Sequence, residues 1–154
     1  MHGKEDRRMD RILIVDPEES LRLFYAQELT EEGYDVITSE EGSRLLLDLI
    51  ARKEPDLVVI EIDLDPYNGL DLLQHIRNTY YDLPVILHTV SRSHKGDPRA
   101  IAADYYVCKN ARLTELKLKI RLALESRRGF VGPFGRPFHA GVSETFKNGM
   151  QWAG

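Results

Sequence analysis

Residues 57–73 read LVVIEIDLDPYNGLDLL. The stretch opens as a short, continuous apolar run, the pattern of a strand buried on both faces of a parallel sheet. It then passes through Glu61, Asp63 and Asp65, turns at Asp65-Pro66-Tyr67-Asn68-Gly69, and resumes with Leu70, Leu73 and Ile76 at helical spacing. Three acids that repel one another at the end of an apolar strand need a reason, and the elements on either side supply it.

Upstream, Ile12-Leu13-Ile14-Val15 is a β-branched run of the same kind. Asp16-Pro17 turns the chain, and Leu21, Phe24, Tyr25 and Leu29 recur at helical spacing up to Gly33, a C-terminal stop. Residues 34–38 form the next expected strand. Ser39 is the expected N-cap of a helix with Leu45, Leu46, Leu49 and Ile50 on one side. The opening stretch supplies the third strand, residues 57–62. Downstream, residues 83–89 make a fourth strand with its proline at the first position, where a missing N–H matters least. Residues 105–108 make a fifth, followed by a helix built on Leu113, Leu116, Ile120 and Leu124.

Strand and helix alternate, so the expected fold is α/β: a doubly wound five-stranded parallel sheet with helices on both faces, because each parallel crossover returns through a helix. The fourth unit is thin. Between Thr89 and Asp104 only residues 100–103 offer packing material, with Gly96 and Pro98 interrupting, so that helix is expected to be short or mobile. The domain is expected to span residues 11–128, after an N-terminal extension at 1–10. Residues 129–154 are rich in glycine and carry Phe130, Phe134, Phe138, Phe146 and Trp152 without periodicity, and read as a tail and not a second domain.

Composition narrows the function. A net charge of −4 over 154 residues argues against a nucleic-acid partner, which calls for a basic face. The single Cys108 forms no internal disulfide, residues 1–10 lack the apolar core of a signal peptide, and no apolar run is long enough to cross a bilayer. The expectation is a cytoplasmic protein bound to neither nucleic acid nor membrane. The five histidines lack metal-site spacing, and no glycine-rich phosphate loop follows a strand.

In doubly wound sheets polar sites gather beyond the carboxyl ends of the strands. Asp16 ends the first strand, Glu61 the third, Thr89 the fourth and Lys109 the fifth, so all four converge on one edge. With RILIVDPEES, PDLVVIEIDLDPYNGLDLLQHIR, LPVILHTV and DYYVCKN in this order and spacing, residues 11–126 resemble the receiver domain of two-component response regulators, a flavodoxin-like fold. The resemblance implies a phosphoryl-accepting switch. An aspartate on the third strand takes phosphate from a histidine kinase, acids after the first strand hold Mg²⁺, a threonine and a lysine grip the phosphate, and an aromatic on the fifth strand swings inward. The last three map to Thr89, Lys109 and Tyr106.

This sequence departs from that pattern at informative positions. The acceptor position is Glu61, not aspartate, and the acidic pair after the first strand has become Asp16-Pro17. Asn110 follows the lysine where proline is usual, so no cis bond is expected there. A small Mg²⁺ site that loses a carboxylate weakens, so the candidate ligands Asp16, Glu61 and Asp63 are expected to bind the ion weakly or not at all. Glu18 and Glu19 lie in a first helical turn, where the helix dipole already favours them. Two readings of Glu61 stay open: an imitation of the phosphorylated state, or a structural ion pair with Lys109. Asp63 would offer its backbone carbonyl to a metal, with its side chain turned away, and Asp65-Pro66 starts a turn.

The expected function is therefore an atypical receiver, not an enzyme, that acts by surface recognition of signalling proteins, a histidine kinase or a downstream effector, with a homodimer also open. One alternative is a working acceptor that uses Asp63 or Asp16 with Mg²⁺. Another is a scaffold assembled through the aromatic tail. His88 is expected to be hydrogen-bonded or to face a partner, Cys108 to be a small buried hydrophobe, and the basic residues Lys117, Lys119, Arg121, Arg127 and Arg128 to form a solvated face.

Overall fold

A computed structural model describes residues 9–110 and 112–128. The expectations for residues 1–8 and for the tail at 129–154 lie outside the described residues. The strands β1 (Arg11–Val15), β2 (Asp35–Ser39), β3 (Leu57–Ile60), β6 (Val85–Thr89) and β7 (Tyr105–Cys108) form one sheet in the order β2-β1-β3-β6-β7, all parallel. The helices are α1 (Glu19–Glu31), α2 (Leu46–Lys53), α3 (Gly69–Thr79) and α4 (Thr114–Arg127).

Alternation along each strand divides the core in two. Leu13, Val15, Val58, Ile60, Val85 and Leu87 face one way and pack with Leu46 and Ile50 of α2 and Leu70, Leu73 and Ile76 of α3. Ile12, Ile14, Val59, Ile86 and Val107 face the other way and meet Tyr25 and Leu29 of α1 and Leu116, Ile120 and Leu124 of α4. Strands covered on both faces have no solvent side to write into the sequence, which is why these runs are apolar throughout. The strand order reverses between β1 and β3, and such a switch point opens a crevice beyond the carboxyl ends of the two strands. Asp16 and Glu61 each follow one of those ends.

Several local expectations need correction. Ser39 caps no helix: it ends β2, and its Oγ accepts the Glu41 N–H at 2.9 Å. The Glu41 carboxylate then takes both the N–H and the hydroxyl of Ser43, so a turn of self-satisfied polar groups delays α2 until Leu46. The third strand stops at Ile60, and the acidic stretch after it folds into an antiparallel hairpin, β4 (Asp63–Leu64) with β5 (Tyr67–Asn68), turning through a cis Asp65-Pro66 bond. Pro84 lies just ahead of β6 and not within it. The thin fourth unit is short, as expected: a 3-10 turn, Pro98–Ala102, entered through an Asp97 cap on the Arg99 N–H. Arg77 of α3 holds it in place. Its Nε donates to Ala102 O at 2.8 Å, and its Nη2 meets Asp104 Oδ2 at 2.9 Å.

Candidate functional site

Each site residue stands where a strand ends. Asp16 follows β1, and its N–H donates to Ser39 O at 3.0 Å, tying it to the neighbouring strand. Its Oδ1 accepts the Glu18 N–H at 2.9 Å, so the carboxylate closes the turn just ahead of α1 as well as facing the crevice. Glu61 follows β3 and is fastened by its N–H to Val15 O at 3.0 Å. Lys109 follows β7, with its N–H on Thr89 O at 2.7 Å. Gly69, at the start of α3, closes on Glu61 from behind. A Cβ there would lie 2.3 Å from Glu61 O and 2.8 Å from Ile62 Cα, so the helix starts this close to the strand end only because the position lacks a side chain.

The four predicted residues meet. Asp16, Glu61 and Thr89 are buried, and Lys109 Nζ bridges the two acids, 2.7 Å from Asp16 Oδ2 and 2.5 Å from Glu61 Oε1. Glu61 Oε2 accepts the Asp63 N–H at 2.9 Å. Every carboxylate oxygen of the pair thus already holds a donor. Burial works to raise the Glu61 pKa, yet it is lowered overall, because the Lys109 ammonium, the nearby Thr89 hydroxyl and the Asp63 N–H all favour the anion. Burial likewise works to lower the Lys109 pKa, and the two carboxylates raise it overall. The Thr89 hydroxyl adds to the field at Glu61 without completing a hydrogen bond, and its Oγ1 is buried with no partner among the described residues.

The magnesium donor set is not brought together. The Asp63 side chain points to solvent, and among the described residues no group of three or more acidic, histidine or cysteine side chains is placed to hold a metal ion. Mg²⁺ demands about six oxygens in near-octahedral array. The Lys109 ammonium already lies against one oxygen of each of the two carboxylates, so these residues do not assemble the donor set of the ion that the fold family implies.

Tyr105 and Tyr106 face opposite ways, as neighbours on a strand must. Tyr105 packs on the α1 and α4 side with Lys119 5.0 Å from its ring centroid, while Tyr106 packs on the other layer and its hydroxyl donates to Ser91 O at 2.7 Å. His88 corrects its expectation: it is neither hydrogen-bonded to another described residue nor partner-facing. It is 3 % exposed, with its ring 5.3 Å from that of Tyr25. Burial, with the nearby Lys109 charge, lowers its pKa to about 4, so it is a neutral core ring at physiological pH. Cys108 is half-buried, and the basic face is largely engaged: Lys117 lies 2.8 Å from Glu28, and Arg128 2.6 Å from Asp10. The sequence did not single out Arg22, whose Nη1 donates to Asp16 O at 2.8 Å, or Ser91. Arg22 lies six residues after the strand-end acid, in the first turn of α1, which is the only signal it gave.

Known proteins agree with this architecture. The response regulator receiver domain model matches residues 12–121. Response regulator MprA of Mycobacterium sp. (strain KMS) is 33% identical over 125 residues, 80% of this chain and 54% of that protein. The KDP operon transcriptional regulatory protein KdpE of Escherichia coli (strain K12) is 30% identical over 128 residues, 81% of this chain and 56% of that one. The chain thus spans about half the length of the curated relatives it matches. Response regulator protein TrrA of Thermotoga maritima, solved in complex with Mg²⁺-BeF, is 36% identical with a TM-score of 0.71, covering 75% of this chain and 99% of that one. The same regulator has been solved in complex with the histidine kinase ThkA, with a TM-score of 0.69. With its sheet order, its strand-end residues and a family match over most of its length, this chain belongs to the response regulator receiver domain family.

Proposed function

We propose that this chain is an atypical receiver that recognises its signalling partners by surface complementarity and is not switched by aspartyl phosphate. The observation that carries this reading is the Lys109 bridge. An acceptor needs a free carboxylate oxygen beside a divalent cation, and here both acids are committed to one ammonium and to backbone donors. Mg²⁺ contributes no step in this account. Lys109, freed from gripping a phosphoryl group, shares its one positive charge between two buried carboxylates, and Glu61 supplies one of them.

The partners are signalling proteins of the kind that the ThkA complex of the TrrA relative exemplifies, a histidine kinase or an effector. A second reading, in which Glu61 stands in for a phosphorylated aspartate, draws on Tyr106, which is packed against the core and tied to Ser91 O. A carboxylate carries one charge where a phosphoryl group carries about −1.5 to −2 and three acceptor oxygens. The uncommitted Thr89 hydroxyl weighs against full mimicry.

The experiment is incubation of the full chain with acetyl phosphate and Mg²⁺, followed by intact mass measurement. The unchanged mass is expected. Addition of one phosphoryl group, mapped to Asp16, Asp63 or Glu61, overturns the proposal. Glu61→Gln separates the two readings: the mimic requires Tyr106 to release Ser91, and the structural ion pair leaves that hydrogen bond in place.

A further inference from the structure

Between α2, the hairpin of β4 and β5, and the first turns of α3 lies a groove of about 780 Å³. Leu47 of α2 and Leu72 of α3 give it an apolar lining, and two large side chains that also line it stay in water: Leu45 is 63% exposed and Tyr67 50%. A single exposed apolar residue is ordinary, but two that share one concave apolar surface mark a place of contact. None of Asp16, Glu61, Thr89 and Lys109 lines it, so this surface is separate from the strand-end site.

The backbone around these two side chains is fixed before anything binds. A Cβ at Gly42 would lie 3.0 Å from Leu64 Cβ and 3.2 Å from Tyr67 Cβ, so the hairpin packs flush on the turn ahead of α2. Ser43 Oγ accepts the Leu45 N–H at 3.1 Å, and Asn68 Oδ1 accepts the Leu70 N–H at 2.7 Å. A tyrosine on so fixed a backbone loses little freedom when it is covered, which is why such rings anchor protein interfaces. The groove is open at Leu45 and Tyr67 and lacks the enclosure that buries most of a small ligand, so a polypeptide segment fits it better.

Charge selects the segment. Asp48 and Asp71 line the groove, Asp63 and Asp65 stand on the hairpin, and all four are exposed, with Arg44 the opposing base in the lining. Arg99 meets Asp71 Oδ1 at 2.6 Å, yet that acid's side chain remains 64% exposed. Such a rim repels phosphate, and with it nucleic acid and anionic lipid headgroups, and receives lysine or arginine. A second copy of the chain carries the same net charge of −4 and is the less favoured occupant.

We propose that this groove docks a basic segment of a partner protein, with lysine or arginine side chains toward Asp48 and Asp71 and an apolar side chain between Tyr67 and Leu45. The inference rests on the reading of this chain as a module that recognises partners by its surface, and it names the surface and the partner's chemistry.

The test titrates the full chain, without Mg²⁺ or acetyl phosphate, with three short capped peptides of equal length, and follows amide and methyl signals. One peptide alternates arginine and leucine, one glutamate and leucine, and one arginine and serine. The arginine–leucine peptide should shift Leu45, Leu47, Tyr67, Asp71 and His75 together and saturate below about 1 mM, and the other two should not. Asp48→Lys and Leu45→Ser should each weaken that binding about tenfold. Both positions are exposed, so the signals of Ile12 and Val107 in the far layer should stay in place in both variants. Equal binding of either control peptide overturns the proposal, as does saturation centred on other residues or no saturation at all. Shifts at the groove on dilution of the chain alone would make a second copy the occupant and overturn it too. A phosphoryl adduct in the mass experiment strikes the underlying reading and leaves these peptide shifts unchanged, so the two failures are told apart.

Discussion

The Lys109 ammonium lies 2.5 Å from Glu61 Oε1, reaching from the end of β7 past β6 to the end of β3. The same nitrogen is 2.7 Å from Asp16 Oδ2, so one cation closes two strand ends. The side chains are 11% (Lys109), 6% (Glu61) and 4% (Asp16) exposed, and ions this deeply buried depend on one another. Removing one partner strands the others, a loss of about 3–5 kcal/mol for a buried pair. Lys109→Met should therefore destabilise the domain by about that amount in urea unfolding. A change within experimental error would mean that the bridge does not form in solution.

The pH dependence follows from the same pair. Glu61 has its folded pKa lowered below the ordinary 4.5, so its contribution is fully present above 4.5 and is lost as pH falls through the folded value. Lys109 has its folded pKa raised above 10.5, so its contribution is fully present below 10.5 and is lost as pH rises through the folded value. The stability difference between the wild type and Glu61→Gln should be level from about pH 5 to 10 and shrink on the acid side. A difference that grew on acidification would contradict the assignment.

Thr89 offers a prediction of opposite sign. Its Oγ1 is buried and without a partner among the described residues, and a lone buried hydroxyl costs about 1–3 kcal/mol. Thr89→Val keeps the shape and removes the cost, so the unfolding midpoint should hold or rise. A loss of more than about 1 kcal/mol would reveal a hydrogen bond there.

Gly69 sets the approach of α3 to Glu61. A Cβ would meet Glu61 O at 2.3 Å, backbone against side chain, and neither can swing away. Gly69→Ala should cost about 1–3 kcal/mol, as overpacking does, and should shift the amide signals of Glu61 and Ile62. Unperturbed signals at both would show that the strand end tolerates the extra carbon.

β1, β3 and β6 were legible because burial on both faces leaves a largely unbroken apolar run, and α1, α3 and α4 because each buries one stripe. The start of α2 was not. Ser39 has the chemistry of a cap, and only the geometry reveals that its oxygen serves the Glu41 N–H in a turn instead. The hairpin at Asp63 and Asn68 was hidden for a related reason, since two-residue strands carry no period and only the Asp65-Pro66 turn signal survives. At the site, topology carried Asp16, Glu61, Thr89 and Lys109 to one edge. Sequence alone gave no sign that Lys109 would divide itself between Glu61 and Asp16, 93 residues away in the chain. Nor did it reveal that His88, on the opposite face of β6, would end buried against Tyr25.

An ammonium, and not a metal ion, joins Asp16 to Glu61. Titrating the full chain with Mg²⁺ while following the amide signals of Asp16, Glu61 and Asp63 tests it most directly. No saturating shift at any of the three is expected through the millimolar range. A saturable shift centred on them, with Lys109 Nζ released from both carboxylates, would contradict it.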